Sequence, residues 1–597
     1  VVLLAIAAAA APSLLAYNVS PSPTFVNQAL ALGLWAAFAL ICVTRPSGHS
    51  VGRAGRNGQL LPWALGLVAL GVLWSWGPGA LPASLALSAL GMLFAAATCA
   101  AAGAVARPRD PDGSLFTAFA TAWVIAGVLN TIVALIQVFA PGWADGNWIA
   151  SSNLPGRAVG NLRQPNHLSS LLVWSLIAAI ALVELGSLQR RVGAALAAIF
   201  VFGIVLTASR TGLLSVALLA LWGLLDRRSS TWSRVLLGAT PLMYAAAWFG
   251  MAQWAALAQS TFGGAERLAE VGDTSSRFSI WSNTLALLRD SPWTGVGFGE
   301  FNFAWTLTAF PGRSTAFFDH THNLPLHLAV ELGLPLAAAV MGLLLYALWR
   351  AARLAWSPPT QPAATAATNV TDAPDARNMA ARAGVLMVLM IGVHSQLEYP
   401  LWYAYFLLPA AWVWGYALGT PATATSSTRA RPATPAKRAT APWLAGAAAL
   451  VVLGAVLSIV DYTRVTVIFA AGDDALPLER RIEAGRRSVL FSHHADYAAV
   501  TSGLPMRDAA ASFASTTHYL LDGRLMVVWA EWLDAQGQTD LARHLAARLR
   551  EFRSPDAGEF FAACPAGAAA PTAASAPFQC LPAQQAPHWR AYLAAPR

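Results

Sequence analysis

Runs of about 18 or more apolar residues recur along this chain, and each is long enough to cross roughly 30 Å of hydrocarbon as an α-helix. Segments of that kind have no place in water, so a lipid bilayer is the solvent the fold must satisfy. Composition agrees. Only 11% of the 597 residues are charged, whereas soluble domains carry roughly 25%. Such a chain cannot coat a large wet surface. The expected spans lie near 1–17, 25–43, 60–77, 81–106, 115–139, 168–186, 192–207, 211–225, 235–258, 323–349, 383–396, 400–419 and 443–468. The first lacks the charged start and cleavage site of a signal peptide, so it is read as a span. The run near 383–396 is short and continues toward its neighbour's turn.

Orientation follows from the excess of lysine and arginine in cytoplasmic loops. With the N-terminus in the cytoplasm, the inner loops hold Arg45, Arg53, Arg56, Arg107, Arg109, the pairs at 190–191 and 227–228, and the basic residues of 350–382 and 429–438. The outer loops before the last span hold far fewer. An odd span count then places the tail from about 469 outside. The tail carries Cys564 and Cys580, which an oxidising compartment lets pair, while Cys42 and Cys99 sit in apolar spans as packing residues. The net charge of +9 is dispersed over short loops rather than gathered on one face, which argues against nucleic acid as a partner.

The chain therefore reads as four stretches: spans over 1–258, a long outer loop over 259–322, further spans over 323–468 and a soluble tail over 469–597. Two inner segments, 357–375 and 420–442, are rich in Ala, Pro and Thr without periodicity and read as flexible linkers. The stretch 527–552 reads as two amphipathic helices around a glycine turn, with a spacing similar to a tetratricopeptide unit.

Polar residues gather at the outer ends of the spans. Arg163, Arg210 and Arg277 stand where the charge rule disfavours them. A lone arginine there snorkels to headgroups; three beside a histidine cluster point instead to phosphate, which a guanidinium grips through a planar fork of donors. The histidines are His167, His320, His322 and His394, with Glu398 close to the last. Histidines at matching depth suggest proton chemistry or a metal. Asp319, His320, His322 and Glu398 offer ligand atoms. However, there is no His-Glu-x-x-His, no cysteine pair in the spans and no Asp-x-Asp in the outer loops. Arginines stand in place of the carboxylates that magnesium would need. A metal-free site is expected.

At these residues the chain resembles a known family. Gly160-Asn-Leu-Arg-Gln-Pro-Asn-His167 before an apolar span is similar to the signature of PglL-type protein O-oligosaccharyltransferases. Ser209-Arg-Thr-Gly212, Arg277 in Ser-Ser-Arg-Phe-Ser-Ile-Trp281, Gly295-Val-Gly-Phe-Gly299 and His320-Thr-His-Asn323 resemble, in order, the core of the Wzy/WaaL/PglL O-antigen ligase superfamily. His394-Ser-Gln-Leu-Glu-Tyr-Pro-Leu-Trp-Tyr-Ala-Tyr405 is again similar to the PglL branch. The resemblance implies an all-α polytopic membrane fold of about thirteen transmembrane helices, GT-C-like, with a large periplasmic loop and a small helical C-terminal domain, in the bacterial inner membrane. It implies transfer of a preassembled oligosaccharide from undecaprenyl pyrophosphate to Ser or Thr hydroxyls of a periplasmic acceptor protein, pilin-like or other. It further implies inverting transfer without a nucleotide sugar, and no cofactor or metal is expected. Carried over, His322 matches the essential histidine, and Arg210 and Arg277 the pyrophosphate-facing arginines. Arg163, Gln164, His167, His320, Asn323, Glu398 and Tyr399 fall in or beside the same motifs as candidate substrate-binding residues.

Several roles stay open on sequence alone. His322 fits either a base that takes the acceptor proton or a cation that anchors phosphate. Glu398 fits either orientation of a histidine or a helix cap. Tyr399, Tyr403, Trp143, Trp148 and Trp281 fit either a sugar platform or an interfacial aromatic belt. The tail fits a cap on the membrane domain or an acceptor-docking surface. Rival functions are ligation onto lipid A–core, polymerisation of O-antigen, and, from another class, transport. Transporters place ionisable groups near the midplane of repeated halves. Here they lie at one outer end and no internal repeat is seen.

Overall fold

The computed structural model describes residues 1–45, 56–110, 112–265, 274–311, 313–357, 373–420, 441–472, 475–504, 508–564 and 576–594. The expected linkers at 357–375 and 420–442 fall almost wholly outside these, as does 266–273 of the long polar loop. The first fifteen helices are α1 (Val2–Leu14), α2 (Phe25–Thr44), α3 (Leu60–Trp76), α4 (Ala83–Ala106), α5 (Ser114–Phe139), α6 (Pro165–Glu184), α7 (Arg190–Thr207), α8 (Arg210–Leu225), α9 (Thr231–Leu257), α10 (Thr274–Asp290), α11 (Phe301–Leu307), α12 (Leu324–Ala355), α13 (Ala373–His394), α14 (Ala404–Leu418) and α15 (Pro442–Phe469). Among the described residues, nine helices are long and apolar enough to cross a membrane, and α1, α8, α13 and α14 are shorter apolar helices. Together they lie over the expected spans. The chain is an integral membrane protein, all-helical among the described residues.

Two compact units emerge, each drawing on separated stretches: Val1–Leu65, Met92–Val271 and Gly342–Leu457 in the first, and Gly66–Gly91, Gly272–Met341 and Ser458–Arg597 in the second. In the first unit α6 is buried along nearly its whole length. A helix that is apolar all round needs neighbours on every side, and α5, α7 and α13 supply them. Aromatic side chains fill the seams. Trp412 of α14 stacks on Phe119 of α5 with centroids 4.9 Å apart, and Trp123 meets Trp174 of α6 edge-on at 4.8 Å.

The second unit contains a broken helix. At Gly333, φ is 76° and ψ is 160°, so α12 is two helical pieces joined by one extended residue. The break frees backbone groups, and the Gly295–Gly299 loop takes them up. Val296 N–H donates to the Val330 carbonyl at 2.8 Å and Gly297 N–H to that of Glu331 at 3.1 Å. Approach this close needs glycine. A Cβ on Gly295 (φ 68°) would lie 2.5 Å from the Glu331 carbonyl oxygen, and one on Gly333 would lie 2.2 Å from that of Trp293.

The tail adds α16 (Leu478–Arg486), α17 (Ser492–Thr501), α18 (Ala509–Thr516), α19 (Gly523–Ala535), α20 (Thr539–Phe552) and α21 (Gly558–Ala562). The helices α19 and α20 form the expected hairpin about Gly537, whose φ is 77°. The sequence divided the long loop from the tail, but in the structure the two share one hydrophobic core. Every residue of α11 is buried. Its Phe303 stacks on His518 at 4.6 Å and its Trp305 packs against Phe552 at 5.8 Å. Leu521 N–H donates to Asn302 Oδ1 at 2.8 Å, and His518 pairs with Glu300 at 2.6 Å. Cys564 and Cys580 are joined in a disulfide, and Cys42 and Cys99 are free and buried.

Candidate active site

In the second unit the segment 308–323 runs from α11 to the start of α12 and carries Asp319, His320 and His322. His322 has a φ of 54°, a left-handed conformation uncommon outside glycine. Neighbouring bonds hold it there. The buried Thr321 donates its hydroxyl to the Asn323 carbonyl at 2.8 Å and accepts from Asn323 N–H at 3.3 Å. Asn323 in turn caps α12, its Oδ1 accepting from Leu326 N–H at 3.0 Å. From α10, the indole N–H of Trp281 donates to the Thr321 carbonyl at 3.0 Å. Arg277 lies four residues before Trp281, one turn away on the same helix face. One hydrogen bond thus ties the arginine-bearing helix to the turn that presents His322.

The side chains of this turn form a series. His320 Nδ1 is hydrogen-bonded to the Asp319 carboxylate, and His320 Nε2 faces His322 Nδ1 at 3.3 Å. The two imidazoles are 4.2 Å apart, with Phe318 edge-on to His322. Partial desolvation pushes the Asp319 carboxyl up, but the hydrogen bond and charge of His320 outweigh it and hold the group below its usual range. An ionised carboxylate only accepts, so His320 donates its Nδ1–H. In a neutral His320 the Nε2 is then an acceptor. When His322 donates its Nδ1–H to that nitrogen, its own Nε2 carries the lone pair.

The first unit holds a second network. Ser209 is the N-cap of α8: its hydroxyl accepts from Gly212 N–H at 3.1 Å and donates to Asn166 Oδ1 at 2.6 Å. Asn166 Nδ2 donates to Glu398 Oε1 at 3.2 Å. Three motifs separated in sequence meet through Asn166. Arg210, the first residue of α8, brings a guanidinium to a helix N-terminus, where backbone N–H groups also favour anions. Gln164 caps α6 by accepting from His167 N–H at 2.9 Å.

His167 is buried. Its Nδ1 shares a hydrogen bond with the Tyr405 hydroxyl at 3.1 Å, and the rings of Tyr403 and Tyr399 stand 4.6 and 6.4 Å away. Ser170 and His394 share a bond of 2.7 Å. Arg163, at φ 56°, donates to the Ala16 carbonyl at 2.6 Å, so part of its fork ties down the α1–α2 loop. Gln137 organises the preceding loop, accepting from Val159 and Gly160 N–H and donating to the Ala150 carbonyl.

The structure thus brings Arg277, His320, His322 and Asn323 together in one unit and Arg163, Gln164, His167, Arg210, Glu398 and Tyr399 in the other. Sequence reasoning did not single out Asn166, Ser209 or Gln137. The one role it offered Asp319 was that of a metal ligand, and those it offered Trp281 were sugar platform or belt residue. Asn166 and Ser209 sit inside the quoted motifs, and that position was the signal available.

Comparison with known proteins agrees with this architecture. Residues 195–341, spanning Arg210, Arg277 and His322, match a family described as O-Antigen ligase. Residues 382–557 match one described as virulence factor membrane-bound polymerase, C-terminal, and residues 158–183 one described as protein glycosylation ligase. The chain is 26% identical over 299 residues to the ComP-specific O-oligosaccharyltransferase of Acinetobacter baylyi, covering 48% of this chain and 47% of that protein. It is 25% identical over 319 residues to the General O-oligosaccharyltransferase of the same organism, covering 50% of each. The chain spans about half the length of the curated relatives it matches. The fold is that of an integral membrane protein, and residues 195–341 are similar to the O-Antigen ligase family. The match at 158–183 and both relatives add a likeness to protein glycosylation ligases and O-oligosaccharyltransferases.

Proposed function

We propose that the chain transfers a preassembled oligosaccharide from undecaprenyl pyrophosphate to Ser or Thr hydroxyls of periplasmic proteins, at the outer face of the bacterial inner membrane. The observation that carries the reading is the Asp319–His320–His322 series, tied through Trp281 to the helix that bears Arg277. A hydroxyl is a poor nucleophile without a base, and a positioned base contributes roughly 10²–10⁴-fold. His322 Nε2 takes the proton as the acceptor oxygen attacks the anomeric carbon opposite the pyrophosphate. The bond from that carbon to the pyrophosphate oxygen breaks, its electron pair leaves with the phosphate, and configuration inverts. The charge gained by His322 is shared with His320 and offset by Asp319. Arg277 and Arg210 are the cations we assign to the charge that develops on the leaving group. These fixed cations serve where other pyrophosphate sites use a metal. The disulfide of the tail supports an oxidising compartment on the tail's side.

The acceptor is the point on which a second reading stands. The match at 195–341 is to an O-Antigen ligase and is longer than that at 158–183, so lipid A–core is the alternative acceptor. Expression in cells that supply a lipid-linked glycan and a periplasmic acceptor protein separates the two. A glycan-sized mass gain on the protein supports the proposal. Modified lipid A with unmodified protein supports the alternative. Neither, with donor present, refutes both.

A further inference from the structure

The second unit holds a cavity of about 630 Å³ between α20 and the segment that leads to His322. Its lining is unbalanced in charge: Arg313, Arg548, Arg550 and Arg553 face a single acid, Glu551. Arg313 is fixed, its side chain 2% exposed and its guanidinium 4.6 Å from the Trp305 ring and 4.8 Å from that of Phe552. Glu551 serves both buried arginines, at 3.0 Å from Arg313 Nε and 2.8 Å from Arg548 Nη2. That leaves Arg313 Nη1 and the Nε and Nη1 of Arg548 buried without a hydrogen-bond partner among the described residues. Arg550 and Arg553 are exposed. Arg550 donates to the Gln579 carbonyl at 3.0 Å.

Unpaired buried donors on a cation are costly, and an arginine cluster of this kind is relieved by an anion that accepts from several forks at once. The remaining walls are apolar: Phe310, Leu581 and Pro582. Saccharide hydroxyls both donate and accept, and the cavity's side-chain acceptors for them are few: Glu551, already engaged by two arginines, and Gln579. Carboxylates beside apolar groups fit better, the pattern of acidic-motif recognition by arginine clusters. The cavity also adjoins the chemistry along the chain, since Arg313 lies in the same segment as Asp319, His320 and His322.

We propose that this cavity is the docking site for an acidic, partly apolar peptide segment of the acceptor protein. The proposal rests on the transferase reading for the word acceptor, but binding is testable without transfer. The probe is a fluorescent nonapeptide with glutamates and leucines around a serine, titrated by anisotropy into the full-length protein in detergent with no glycan donor. The parent is expected to bind it at least about ten-fold more tightly than the same peptide with glutamines, and to lose that preference as salt screens the charges. The double variant Arg550→Gln/Arg553→Gln, altered only at exposed positions, is expected to lose most of that preference, with Arg313 and Arg548 retained. Arg550→Lys/Arg553→Lys should keep most of the preference. Equal binding of the two peptides by the parent would overturn the proposal, as would an unchanged preference in the glutamine variant. Displacement of the acidic peptide by a glucuronate oligosaccharide at lower concentration would give the cavity to the glycan instead. A chain that selects the acidic peptide but transfers nothing would sink the transferase reading alone. A chain that transfers without selecting would sink only the cavity's role.

Discussion

Replacing Asp319 with Asn tests the series that ends at His322. The substitution keeps size and removes the charge that accepts from His320 Nδ1. Hydrogen bonds to charged groups contribute about 1.5–3 kcal/mol. The Asp319 side chain is 63% exposed, which places the effect at the low end. About 1.4 kcal/mol is ten-fold in rate, so a roughly ten-fold fall in kcat is expected. His322→Ala removes the base itself and is expected to cost about 10²–10⁴-fold. Because Asp319 acts through His322, adding Asp319→Asn to His322→Ala should cost nothing further. A pH–rate profile gives the second readout. Loss of the charged partner should change the shape of that profile from the parent's. The assay is initial transfer rate with a synthetic lipid-linked donor at matched protein levels. Parent-like rates and profile for Asp319→Asn, or a full further loss in the double variant, would refute the reasoning.

Three further outcomes are expected. Trp281→Phe keeps the ring and deletes the N–H that serves the buried Thr321 carbonyl; an unsatisfied group costs about 1–3 kcal/mol, so transfer should fall about ten-fold with little change in protein yield. Gly295→Ala places a methyl 2.5 Å from the Glu331 carbonyl at a positive φ, and thermal-shift measurements should show a loss of at least about 2 kcal/mol. The tail should weaken in acid. Burial pushes His544 and His494 down to about 4, whereas the unfolded chain takes up these protons near pH 6.5. Stability is therefore full above about pH 6.5 and falls between about 6.5 and 4, by up to roughly 3 kcal/mol per histidine. A melting temperature unchanged from pH 7.5 to 4.5 would contradict that.

Much of the fold was legible because a bilayer imposes one rule, about 18 or more apolar residues per crossing helix, and hydropathy reads that rule directly. The exceptions have physical causes. The run expected at 383–396 belongs to α13, which starts at Ala373, because Asn378 and Arg382 are buried inside the bundle. Arg382 reaches Asp226 at 3.6 Å, a pairing between residues far apart in sequence that no local window detects. The break at Gly333 lay hidden in an apolar stretch; Gly333-Leu-Pro335 was the cue, and the cause is the loop that docks there. The motifs stood out because polar residues are rare in such a chain. Their partnerships did not, because Asn166, Ser209 and Glu398 meet only once α6, α8 and the turn after α13 pack together. The unity of the long loop with the tail was equally invisible, since the contacts of Phe303 with His518 and of Trp305 with Phe552 join distant segments.

The central claim is that His322 acts as a neutral base. The most direct measurement is the pH dependence of transfer by the purified full-length protein in lipid nanodiscs, with saturating donor and a serine-bearing acceptor, beside His322→Ala. The account predicts a rate that rises from acid to mildly basic pH, as a base that acts in its neutral form requires, and a flat, strongly reduced profile for His322→Ala. A parent rate that falls over the same range would make His322 a phosphate anchor, and parent-like transfer by His322→Ala would remove it from the mechanism.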